Sequence, residues 1–179
     1  MTTTPPQSGI AREFANAFGA RWLEAWNSRN PSRLLELMSE DIVYDDSAWP
    51  KTMRGHEDVR EFLEHIWRAF PDLTFELLEG PYVDPTAPRA AYWWRAHGTH
   101  QGTLEPAGLR PTGKPVEFDG VDFHHYRDGK VERLRIIFDM AGAMRQLGVL
   151  PAAGTREERT IVGLSNIRTS LRGRRPVRH

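Results

Sequence analysis

At 179 residues, 39% of them apolar, the chain is the size of one ordinary domain and carries enough apolar mass for a single core. The absence of cysteine excludes disulfides, thiol catalysis and thiolate metal sites, and directs the expectation to a reducing compartment, the cytoplasm. The 24 basic and 24 acidic side chains cancel, yet residues 1–151 hold 17 basic against 22 acidic, whereas residues 152–179 hold seven Arg against Glu157 and Glu158.

The polar N-terminus MTTTPPQSG has neither a basic region nor an apolar one, and no run of about 18 apolar residues follows, so the expectation is a soluble, unprocessed chain without a membrane partner. Phe14, Phe18, Trp22 and Trp26 recur every fourth residue and predict one stripe of an amphipathic helix. Asn30-Pro31 offers an N-cap and a first-turn proline to a short helix carrying Leu34, Leu35, Leu37 and Met38. Ile42-Val43-Tyr44 reads as a short strand. Val59, Phe62, Leu63, Ile66, Trp67 and Phe70 form the clearest helical stripe, which Pro71 stops.

Beyond Leu73 the texture is that of strands, over 73–79, 90–100, 115–127 and 130–138, separated by Pro/Gly clusters. Asp128-Gly129 is the strongest hairpin signal in the chain. A short helix around 140–147 ends at Gly148. Helices first and antiparallel strands afterwards indicate an α+β domain, its helices on one face of a strongly curved, mostly antiparallel sheet whose concave side forms a ligand cavity.

A two-residue turn at Asp128-Gly129 predicts that residues summing to 257 face each other, which sets Asp122 against Arg135 and His124 against Arg133. Alternation then puts Phe118, Asp122, His124, Tyr126, Arg133, Arg135 and nominally Asp139 on one side, and Val121, Phe123, His125, Leu134, Ile136 and Phe138 on the other. The titratable side either lines the cavity, where burial and neighbouring charges tune it for proton transfer, or forms ordinary ion pairs on a solvated or dimer-facing surface.

Gly98-Thr99-His100-Gln101-Gly102, Gly108 to Lys114, Asp128-Gly129-Lys130-Val131 and Arg145-Gln146-Leu147-Gly148, with Trp26-Asn27 and Gly55-His56-Glu57-Asp58 upstream, resemble the SnoaL-like polyketide cyclase (ester cyclase) family. The resemblance implies the cone-shaped α+β barrel of the nuclear transport factor superfamily. It divides the chain into a flexible lead-in (1–9), a cone domain (10–150) and a basic tail (151–179). It further implies homodimers paired through the outer sheet face, and ring closure by aldol condensation without cofactor or metal, using a pocket Asp and a nearby His. In an ungapped match the Asp position falls on Ile136 and the His position on Asp122, with Asp139 available as a compensating carboxylate.

The resulting expectation is a cofactor-independent enzyme acting on a hydrophobic polyketide-type metabolite by proton transfer. Asp122 and Asp139 are its acid/base candidates, and His124 and Arg135 position the substrate or stabilise an enolate. Tyr44, Asp46, Trp94, His97, His100 and Phe118 are candidate substrate contacts. Asp122, Arg135 and Asp139 also have the residue types for epoxide opening, and a non-catalytic binding or assembly domain is the third reading. No His-x-x-x-His spacing, phosphate loop or Gly-x-Ser-x-Gly elbow is present. The tail holds Ile161, Val162, Leu164 and Ile167 before an Arg-rich end that lacks aromatics and reads as a solvated arm or an added element rather than a nucleic-acid site.

Overall fold

The computed structural model describes residues 9–172, with side chains to Ser165; most of the expected lead-in and the last seven residues lie outside it. Helix α1 (Arg12–Asn27) buries Ala15, Phe18, Gly19, Trp22, Ala25 and Trp26, so the four-residue aromatic stripe is its inward face. In α2 (Pro31–Leu35) the Asn30 side chain accepts from the Ser32 N–H at 3.0 Å, as its N-cap position predicts. That helix is shorter than its leucines suggest, because Met38 already opens β1 (Met38–Asp46). A two-residue β2 (Met53–Arg54) leads into α3 (Gly55–Ala69), which buries Val59, Phe62, Leu63 and Trp67.

Four long strands follow: β3 (Thr74–Val83), β4 (Arg89–Thr99), β5 (Pro115–Arg127) and β6 (Lys130–Phe138). They form a six-stranded, curled and unclosed sheet in the order β2-β1-β6-β5-β4-β3, with only the β1–β6 pair parallel. α1 lies against β3 and α3 against β1 on the concave side, where Phe18, Leu34, Met38, Ile42, Leu63 and Leu134 are fully buried. Each such side chain contributes roughly 1.5–3 kcal/mol by leaving water.

The β5–β6 turn has both central residues left-handed, Asp128 at φ 52° and Gly129 at φ 75°, so it is the tight two-residue turn expected. The 257 register holds only for Arg127–Lys130 and Tyr126–Val131. Between these and His125–Arg133 the strand β6 contains one extra residue, Glu132, and from there the partners sum to 258. Asp122 therefore faces Ile136, His124 faces Leu134, and Arg135 faces Phe123. This single bulge reverses the inward and outward sides of β6. Leu134 and Ile136 are buried, whereas Arg133 and Arg135 are exposed on the outer face.

Helix α4 (Met140–Leu147) packs on β5 and ends at left-handed Gly148. The tail forms α5 (Arg156–Arg172), on which Ile161, Val162 and Leu164 are exposed. Among the described residues no helix is long and apolar enough to cross a membrane.

Candidate active site

The alternation of β5 sends Val116, Phe118, Gly120, Asp122, His124 and Tyr126 to the concave side, and the last three form an unbroken polar row in the apolar interior. Asp122 is 2% exposed and His124 fully buried. A buried carboxylate needs donors, and two indoles provide them. The Trp22 N–H donates to Asp122 Oδ2 at 3.0 Å from α1, and the Trp94 N–H donates to Oδ1 at 2.6 Å from β4. His124 Nε2 lies 3.3 Å from Oδ2.

The row continues away from the carboxylate. His124 Nδ1 is 3.1 Å from the Tyr126 hydroxyl, which is 2.8 Å from that of Tyr92, and the Tyr92 hydroxyl donates to the Ala15 carbonyl on α1 at 2.8 Å. Burial pushes the Tyr92 phenol up to about 12 and raises Tyr126 as well, so both remain neutral hydroxyls. Two glycines make room for this packing. Gly120 is the register partner of Trp94 and lies under its indole, and Gly19 lies against the Tyr92 ring; a Cβ at either would collide with the aromatic ring.

Asp122 opens on a cavity of about 90 Å³ whose wall is almost wholly apolar: Trp22 and Trp26 from α1, Phe62 and Ile66 from α3, Phe75, Trp94 and Phe118 from the sheet, and Ile136 and Phe138 from β6. One other carboxylate lines it, Asp46 at the end of β1. Asp46 Oδ1 accepts the Ala48 N–H at 2.7 Å, and the Tyr44 hydroxyl lies 3.5 Å from Oδ2. Burial raises the Asp46 carboxyl to about 6, with the Asp122 charge adding to the effect against the Ala48 hydrogen bond.

The expected site residues thus separate. Asp122, Asp46, Trp94 and Phe118 line the cavity, and His124 stands directly behind Asp122. Tyr44 is fully buried beside Asp46. Arg135 is exposed on the outer sheet face because of the Glu132 bulge. Asp139 is the N-cap of α4, exposed and accepting the Gly142 N–H at 2.8 Å. His97 is exposed and bonded to Thr74 at 2.7 Å. His100 is buried in the loop after β4, where Nδ1 accepts the Thr112 N–H at 3.2 Å and the ring packs on Phe70. The Asp122–Arg135–Asp139 set considered for epoxide opening is therefore not assembled. Among the described residues no group of His, Asp and Glu is arranged to hold a metal ion. Trp22 and Tyr92 enter the site without having been singled out for it, and Ile136, on which the family's Asp position falls, lines the cavity as well. The stripe of α1 signals that Trp22 faces inward, but nothing local signals that its N–H meets Asp122.

Helices closing a curled sheet over a buried carboxylate–imidazole pair define a small α+β domain built around a largely apolar, partly open cavity. The model of the SnoaL-like polyketide cyclases matches residues 18–147, and the chain belongs to that family. Among solved structures it is similar to AclR of Streptomyces galilaeus, described as a candidate hydroxylase (27% identity, 79% of this chain and 89% of that one, TM-score 0.64). It is similar too to IdmH of Streptomyces antibioticus, described as a candidate polyketide cyclase (27% identity, 74% and 97%, TM-score 0.60). A SnoaL-like protein of Jannaschia sp. CCS1 shares the cone fold at 18% identity (84% and 99%, TM-score 0.67). No protein in the curated set matches the chain.

Proposed function

We propose that the protein is a cytoplasmic, cofactor-independent cyclase or isomerase that moves protons on a hydrophobic polyketide-type metabolite. The observation that carries this reading is the pairing of two carboxylates, Asp122 and Asp46, in a cavity otherwise walled by aromatic and aliphatic side chains. Asp46, ionised above about pH 6, takes a proton from an activated carbon of the substrate. The Asp122–His124 pair delivers a proton to the carbonyl oxygen that becomes an alkoxide or enolate. In a ring closure the nucleophilic carbon loses its proton to Asp46, the carbon–carbon bond forms, and the electrophilic oxygen is protonated from the pair. Both groups then reset by exchange with solvent.

Membership of the family and the similarity to AclR and IdmH support this class of chemistry. The cross-strand position of Asp122 and Ile136 supports the assignment of Asp122, since a carboxylate on either residue reaches the same part of the cavity. The test is turnover of the Asp122→Asn and Asp46→Asn variants on a panel of polyketide esters. Full activity in both removes the assignment, and ligand binding without turnover in the native protein favours a binding domain instead.

The proposal includes a homodimer through the outer sheet face. Trp93, Val121 and Ile137 form one cross-strand row there, and Trp93, Phe123 and Ile137 are exposed. Arg89, His125 and Arg133 lie at one end of that face, and Glu117 and Asp119 toward the other. A twofold axis across the strands lays apolar row on apolar row and brings the basic end opposite the end where Arg95 is ion-paired with Asp119 at 2.7 Å.

A further inference from the structure

The chain of hydrogen bonds behind Asp122 can be counted proton by proton. Its far end is a carbonyl, that of Ala15, which only accepts, so the single proton of the Tyr92 hydroxyl is committed to it. In the 2.8 Å contact between the two hydroxyls, Tyr126 must then be the donor. With that proton used, Tyr126 can only accept from His124, so Nδ1 of the imidazole carries hydrogen. The remaining contact, Nε2 to Asp122 Oδ2, would set a bare nitrogen lone pair against a carboxylate oxygen unless one further proton lies between them.

We propose that the resting site is loaded with that proton. Tyr92 and Tyr126, by directing their hydroxyl protons toward the Ala15 carbonyl, oblige His124 to be protonated on Nδ1, and the Asp122–His124 pair then holds one more proton on its other side. Its place is Nε2 of an imidazolium. Asp122 already accepts two indole N–H groups, which suits the ionised carboxylate. Aromatic rings surround the imidazole, with centroids at 4.7 Å for Trp22, 4.9 Å for Tyr92, 5.7 Å for Tyr126 and 5.9 Å for Phe18, so the Asp122 carboxylate is the partner that offsets the burial of the cation.

The titratable groups facing His124 are Asp122 and Tyr126 on β5 and Tyr92 on β4. α1 contributes only Phe18 and Trp22, β6 contributes Leu134, the adjacent His125 on β5 interacts with His124 through charge, and the Asp122 charge in turn raises Asp46 and Tyr44 on β1. Tyr92 and Tyr126 are positioning residues, whose hydroxyls select the protonation of the pair without reaching the cavity carboxylate. The protonation stands on hydrogen-bond geometry alone, and only the pair's service as proton donor rests on the proposed reaction.

Nitrogen-15 NMR of the histidine-labelled protein, with His124 assigned by loss of its signals in His124→Gln, tests this without any substrate. Both ring nitrogens of His124 are expected to be protonated at neutral pH. Tyr92→Phe preserves shape and frees the Tyr126 hydroxyl to donate to Nδ1, so Nδ1 is expected to be bare at neutral pH in that variant. Rescue of the native signature is expected in no variant lacking that hydroxyl, and Phe14→Leu, which touches Tyr126 by its ring alone, leaves it unchanged. A bare Nδ1 in the native protein at neutral pH overturns the proposal, as does a Tyr92→Phe spectrum in which Nδ1 keeps its proton. Should Tyr92→Phe fail to fold, the native spectrum decides alone. Loss of the functional reading would show instead as full turnover in Asp122→Asn with the histidine signature of the native protein intact.

Discussion

Asp122 on β5 and Ile136 on β6 are direct cross-strand partners, and both face the cavity. The resemblance to the family implies that the position of its pocket Asp falls on Ile136. The acid proposed above is the opposite residue, one strand away, and partners of this kind have Cα atoms about 4.5–5.5 Å apart. Asp122→Asn is expected to lower kcat by about 10²–10⁴. The double variant Asp122→Asn/Ile136→Asp is expected to recover part of the loss, because its carboxylate projects into the same space. Steady-state kinetics of the two variants check this, and equal inactivity of both argues that the indole donors, rather than position alone, make the acid competent.

Those donors have a measurable role. Trp22→Phe and Trp94→Phe each remove one N–H from a buried carboxylate while keeping most of the ring, and each is expected to cost about 1–3 kcal/mol in denaturant unfolding. The larger effect is expected for Trp94, whose bond is shorter at 2.6 Å against 3.0 Å.

Close approach to backbone makes a second pair of positions sensitive. Gly120→Ala displaces the Trp94 indole and Gly19→Ala displaces the Tyr92 ring, since neither ring leaves room for a Cβ. Both variants are expected to lose stability on the scale of overpacked cores, about 1–3 kcal/mol. Gly120→Ala is expected to lower kcat further by moving a donor off Asp122, which paired unfolding and kinetic measurements separate.

The Asp46 carboxyl lies at about 6 in the folded protein against an ordinary 3.8, so the folded state binds this proton more tightly than the unfolded chain does. Its contribution to stability is complete below about pH 4 and is lost as pH rises through about 6. Asp46→Asn is therefore expected to flatten stability against pH over that interval. If Asp46 is the base, native activity falls below about pH 6 as the carboxylate is protonated. Unfolding midpoints and rate profiles across pH 4–8 test both.

On the outer face, Ile137→Glu introduces a charge into the Trp93–Val121–Ile137 row. Light scattering is expected to show a dimer for the native chain and a monomer for this variant, with the cavity chemistry retained. A native monomer discards the proposed assembly.

Much of the site is legible along β5, because a strand buried on one face must alternate: Phe118, Asp122, His124 and Tyr126 share the concave side as their spacing requires. Arg135 is misplaced by the same logic, since alternation carried through the turn cannot register Glu132, and a bulge has no obligatory residue type. Asp139 had a local explanation in its position just ahead of a short helix, that of an N-cap. The convergence of Trp22, Trp94 and His124 on one carboxylate is tertiary. It depends on the angle of α1 across the sheet and on two glycines that admit aromatic rings, and no window of sequence contains it.

Glu132 also bears on how such a domain changes its chemistry. Closing the bulge by pairing Glu132 with His125, a one-residue slip of β6, would extend the 257 register along the hairpin, turn Arg133 and Arg135 inward, and set Arg135 opposite Asp122 in place of Ile136. A greasy wall would become a guanidinium-lined one without any substitution among the cavity residues. The presence or absence of a bulge beside a tight turn thus decides which whole row of side chains enters the cavity, and families built on this sheet can diversify by gaining or closing a bulge as well as by changing residue identity.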